Sequence, residues 1–112
     1  MGAALDLAPD ASLFAVFDGH GGHETALTAA SNMVGWIKRS PHFAKKNYSE
    51  ALREAYITGD AEICASLTHD YQMSGATAVT VIVTRTHVYC ANVGDSRAVL
   101  CRGLVAHDLS TD

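Results

Sequence analysis

The sequence predicts an α+β fold, an antiparallel sheet with helices against one face. Three observations predict it. A short apolar run, Leu13-Phe14-Ala15-Val16-Phe17, leads directly into glycines. Two segments then place apolar residues at three- and four-residue steps, the period of a helix face. From Ala76 onward the period is two, and tight-turn residues separate one alternating run from the next. Strands that follow one another through tight turns build an antiparallel sheet, and the helical faces need such a sheet to bury against.

Residues 1–12 are small and acidic, with Pro9 among them, and read as a loose lead-in. Leu13 to Phe17 is a buried strand running into a turn. Residues 23–38 form a helix whose apolar face is Ala26, Ala29, Ala30, Met33, Val34 and Ile37, and Ser40-Pro41 ends it. A second helix covers 48–69. Asn47 caps its first turn, Glu50 can return the bond, and Leu52, Ala55, Tyr56, Gly59, Ile63 and Leu67 form the inner stripe. In the next run Val79, Val81 and Val83 point one way and Thr80, Ile82 and Thr84 the other. Arg85-Thr86 turns into a strand from His87 to Val93, and Gly94-Asp95 turns again. Arg97 to Cys101 is a further strand, Gly103 a turn, and Leu104 to Leu109 a last strand. No repeat, low-complexity stretch or linker divides the chain.

Hydrophobic residues make up 48% of the 112, a share that supports a packed core rather than disorder. The net charge of -4 and the lone pair Lys45-Lys46 argue against nucleic acid and anionic membranes, which call for clustered cations. No apolar run approaches a membrane span and no signal segment opens the chain. Met1-Gly2 is no myristoylation start, because position 6 is Asp. Asn47-Tyr48-Ser49 matches a glycosylation sequon, which matters only in a secreted protein. Cys64, Cys90 and Cys101 are odd in number and lack Cys-x-x-Cys spacing, so the expectation is reduced, buried thiols. An intracellular location, cytoplasmic or nuclear, follows.

Chemistry concentrates at Asp18-Gly19-His20-Gly21-Gly22. Gly19, Gly21 and Gly22 leave the backbone bare, so carbonyls and amides can approach a ligand closely. A carboxylate beside such backbone suits a hard cation, and an imidazole two residues on can move a proton near neutral pH. An ordinary Asx turn fits the same residues at least as well. Zinc is disfavoured, since His20, His23 and Glu24 crowd one tight turn and no partner stands at fitting spacing elsewhere. Dinucleotide and P-loop patterns are absent. A second carboxylate on a glycine turn is Asp95, in Gly94-Asp95-Ser96-Arg97. Asp18 and Asp95 share a site only if their strand ends lie on one side of the sheet.

Four segments stand together in order: Leu13 through Gly22, Ser74-Gly75-Ala76-Thr77-Ala78, Ala91 through Ala98, and Leu109-Ser110-Thr111-Asp112. In this the chain resembles protein phosphatase 2C, the metal-dependent Ser/Thr phosphatase (PPM) family. The resemblance implies a sandwich of two antiparallel sheets flanked by helices, with two Mg²⁺ or Mn²⁺ ions at its edge. It implies that a metal-activated water dephosphorylates phosphoserine and phosphothreonine proteins. By position Asp18 matches the carboxylate that bridges the metals, and Gly19 the residue that lends a backbone carbonyl. His20 matches the general acid, and Asp95 an acidic residue associated with a third, weaker metal. Ser74 to Thr77 matches a strand lead-in.

The family's domain is more than twice this length. It carries an acidic pair and a phosphate-holding Arg before the Asp-Gly-His turn, whereas the first Arg here is Arg39. It also carries two more metal-binding aspartates beyond the region matched by Asp112. Residues 1–112 are therefore expected to form a partial PPM-type domain, without the N-terminal acidic and Arg strand or the C-terminal metal-binding half. The expected activity is that of the whole enzyme, with the chain inactive alone. The alternative is a non-catalytic binding or pseudophosphatase module on the same scaffold.

Overall fold

The computed structural model describes residues 2–20, 24–66, 75–94, 99–102 and 105–110. Strands β1 (Gly2–Ala8) and β2 (Ala11–His20) come first. Helices α1 (Glu24–Arg39), α2 (Pro41–Ala44) and α3 (Tyr48–Ser66) follow. Strands β3 (Gly75–Thr84), β4 (Val88–Val93), β5 (Val99–Arg102) and β6 (Val105–Asp108) complete the order. The first four strands form one antiparallel sheet in the order β1-β2-β3-β4, and β5 pairs with β6. This is the expected α+β arrangement.

The lead-in is not loose. Residues 2–8 form a strand, and β2 begins at Ala11 rather than Leu13. The segment Gly2 to Ala8 lacks β-branched and aromatic side chains, so it carries no strand signal of its own. Pairing with β2 orders it, with Ala4 opposite Leu13 and Ala8 opposite Ala11, and Leu7 is buried in the core. A short helix, α2, also stands where the sequence predicts none. Ser40 ends α1 as expected, but its Oγ accepts from the His42 N–H at 3.2 Å and Pro41 begins a new turn.

One face of the sheet is covered by helices. Ala11, Leu13 and Ala15 of β2 and Ile82 of β3 join Ala29, Met33, Trp36 and Ile37 of α1 and Tyr48, Ala51, Leu52 and Ala55 of α3 in one cluster. The α1 face is rotated from the expected one, because Ala30 is exposed and Trp36 is buried. Leu67 lies outside the described residues. Asn47 caps α3 through its Oδ1, 3.5 Å from the Glu50 N–H, while the Glu50 carboxylate faces Arg53 instead of returning the bond.

The inner face of β3 is the Thr80 and Ile82 side, both 0% exposed, and Val83 lies outward. Burying a hydroxyl requires a partner. Tyr56 supplies it: its hydroxyl donates to the Ala91 carbonyl at 3.1 Å and so accepts from Thr80 at 2.9 Å. Burial pushes the Tyr56 phenol up to about 12, against the opposing effect of the Thr80 bond. The outer face is apolar and exposed at Phe14, Val16, Val83 and Val88, while Val79 on the same face is buried. Cys64 is exposed, contrary to expectation, while Cys90 is half-buried with its thiol pushed up by burial. The Cys101 side chain lies outside the described residues.

Helices α1 and α3 meet at Gly59. A Cβ there would stand 2.7 Å from the Trp36 ring. Gly59→Ala should therefore destabilise the fold by about 1–3 kcal/mol of overpacking, less about 1 kcal/mol of helix propensity gained. A lower midpoint in urea unfolding checks this. Above the same contact, Glu62 accepts from Trp36 Nε1 at 2.5 Å and Arg39 Nη2 at 2.9 Å. The Trp36 bond, then that of Arg39, holds its carboxyl below the ordinary value. A depressed carboxyl stabilises above its unfolded pKa and loses that contribution as pH falls through the folded one. The melting temperature should thus drop below about pH 4.5, and Glu62→Gln should fall less steeply over that window.

Candidate metal centre

Strand β2 carries its apolar alternation straight to the site. Leu13 and Ala15 face the helices while Phe14 and Val16 face outward. The period of two then puts Asp18 on the outer side. Asp18 and Gly19 are both exposed, at the last residues of β2. His20 ends the strand, and its side chain lies outside the described residues, as do Gly21, Gly22 and His23.

The register across the sheet sets what stands beside Asp18. Asp18 is opposite Thr77, Gly19 opposite Ala76 and His20 opposite Gly75. On the far side of β3, Ala78 is opposite Val93, so β4 ends beside Thr77. Gly94 follows with φ +96, and a Cβ there would lie 2.4 Å from Thr77 Cγ2 and 2.7 Å from Thr77 Cβ. Only glycine fits both the angle and the space. Asn92 Nδ2 donates to the Gly94 carbonyl at 3.3 Å and clips the turn.

Asp18, Thr77 and Gly94 therefore stand in a row across three strands. Two interstrand spacings separate the outer pair, about 10 Å. The turn that leads into Asp95 starts on the same sheet edge as Asp18, which the sequence left open. Asp95 itself lies outside the described residues. Thr77, which the sequence reads as strand lead-in, stands between the Asp18-Gly19 strand end and the Gly94 turn. No local pattern marked it; only the register does.

A divalent cation of the magnesium type takes six oxygens. Asp18 offers a carboxylate and Gly19 a carbonyl with no Cβ to crowd it, which suits a hard cation. Among the described residues no group of three or more His, Cys, Asp or Glu comes together. The described donors fit one corner of such a centre and do not complete it. Among the described residues no helix is long and apolar enough to cross a membrane.

Comparison with known proteins agrees with this architecture. The family model "Protein phosphatase 2C" matches residues 2–112. "Protein phosphatase 2C homolog 2" of Schizosaccharomyces pombe is 42% identical over 93% of this chain and 28% of its own length. "Protein phosphatase 2C 1" of Paramecium tetraurelia is 33% identical over 96% of this chain and 39% of its own length. The crystal structure of a serine-threonine phosphatase 2C from Toxoplasma gondii superposes with a TM-score of 0.83 at 24% identity, over 96% of this chain and 43% of that one. The chain belongs to the protein phosphatase 2C family. It spans well under half the length of these relatives.

Gly94→Ala should cost about 2 kcal/mol or more, from the positive φ and the collision with Thr77 together. Chemical denaturation measures the loss, and amide exchange should quicken first at Asn92 and Val93.

Proposed function

We propose that these residues form one corner of a metal-dependent protein serine/threonine phosphatase centre, acting on phosphoserine and phosphothreonine proteins inside the cell. The observation that carries the reading is the exposed Asp18-Gly19 strand end, in register with the Gly94 turn, in a chain of this family. Asp18 would hold Mg²⁺ or Mn²⁺ through its carboxylate, and Gly19 through its carbonyl. Asp95 would serve a third, weaker ion. A divalent cation so held lowers the pKa of water and gives a nucleophile toward phosphorus at neutral pH. His20 would protonate the leaving alkoxide of serine or threonine. The remaining carboxylates and the phosphate-holding Arg would come from sequence that the longer relatives carry and these 112 residues do not.

The exposed part of the outer face supports the same division. Phe14, Val16, Val83 and Val88 are exposed on one side of the sheet, an unusual amount of apolar surface for a finished sandwich face. A second sheet supplied by the rest of the domain would cover it.

The 112-residue chain alone is therefore expected to bind Mn²⁺ weakly and to release negligible phosphate from a phosphoserine peptide. Robust Mn²⁺-dependent turnover would overturn the division. In the longer polypeptide, Asp18→Asn should abolish activity through loss of metal, read by calorimetric Mn²⁺ titration. His20→Gln should slow turnover while Mn²⁺ binding persists; an unchanged pH–rate profile would remove His20 from the acid role.

A further inference from the structure

The end of the sheet opposite Asp18 holds a pocket that phosphate chemistry does not use. Its volume is about 460 Å³, and it lies among the β1–β2 turn, helix α2 and the β3–β4 turn. Asp10, just before β2, lies eight residues from Asp18, about 26 Å of extended chain. Phe43 and Tyr48 meet edge to face in its lining, with ring centroids 5.9 Å apart, and Pro9 closes one side. Its charged groups are Lys46, Arg85 and Asp10.

Lys46 occupies an unusual backbone position. The Lys46 N–H donates to the Phe43 carbonyl and the Asn47 N–H to the His42 carbonyl, each at 3.0 Å. This pair of bonds ends α2 with a left-handed residue, which is normally glycine. Lys46 takes the position at φ 58, alone among the described non-glycine residues. A side chain is therefore kept where glycine would be unstrained. Its ammonium stands 3.4 Å from Asp10 Oδ2 and retains two further donors. Among the described residues no carboxylate pairs with Arg85. Two cations and one carboxylate leave the mouth of an aromatic pocket with net positive charge. The Tyr48 phenol is held protonated by burial and by the Asp10 charge, against the pull of Lys46, so it adds no negative charge there at neutral pH.

We propose that this pocket binds small organic anions with a flat apolar body and one carboxylate. The body lies against Phe43, Tyr48 and Pro9, and the carboxylate sits between Lys46 and Arg85. Charge-assisted bonds from an ammonium and a guanidinium favour such an anion over a neutral molecule of the same shape.

Phenylacetate is the probe, titrated into the 112-residue chain and followed by amide chemical shifts. Saturable shifts are expected at Phe43, Lys46, Tyr48 and Arg85, with none at Asp18 or Gly19. The uncharged 2-phenylethanol should bind about tenfold or more weakly, as should phenylacetate to the Lys46→Gly, Arg85→Gln double variant. Lys46→Gly alone should melt no lower than the parent, because it relieves the left-handed strain, and so separates lost binding from lost fold. Absence of saturation, equal affinity for 2-phenylethanol, or full affinity in a double variant that melts like the parent would each overturn the proposal.

Discussion

The β2–β3 ladder is the constraint on which the rest of the structure depends. Ten consecutive residues of β2, Ala11 to His20, pair with ten of β3, Thr84 to Gly75, without a shift. A slip of one residue would turn every side chain to the opposite face. It would bring Phe14 under the helices and expel Leu13. It would also break the row of Asp18, Thr77 and Gly94, because Gly94 meets Thr77 only in this register. Core packing and site geometry thus come from one set of hydrogen bonds, and neither can be changed alone.

The helices hold that ladder from one side. Gly59 lets the Trp36 ring lie directly on α3, and Tyr56 reaches through to bond both β3 and β4. A hydroxyl at Thr80 is then as good a core group as a methyl, because it is fully satisfied. On the other side of the sheet Phe14, Val16, Val83 and Val88 are exposed and Val79 is buried.

Much of this was legible from local pattern. Helices α1 and α3 lie within a few residues of their expected spans, because apolar periodicity and the stops at Ser40 and Asn47 are local signals. Strands β3 and β4 were legible from branched side chains at period two. Strand β1 was not, since Gly2 to Ala8 owes its form to pairing with β2. The rotation of α1 toward Trp36 depends on a glycine 23 residues further on, which no window on α1 contains. At the site, Asp18 and Gly19 were visible as a bare acidic turn, and the glycine at 94 as a turn residue. Their common edge was not visible, nor was Thr77 between them, because both are facts of register.

The proposed function puts a divalent cation at the Asp18 edge of the sheet. Paramagnetic broadening of amide signals by substoichiometric Mn²⁺ tests it most directly, since the effect falls steeply with distance from the ion. Broadening should begin at Asp18 and Gly19, extend to Thr77 and Gly94, and leave Asp10, Lys46 and Arg85 sharp. Broadening centred on any other carboxylate, with Asp18 and Gly19 unaffected, would contradict the account.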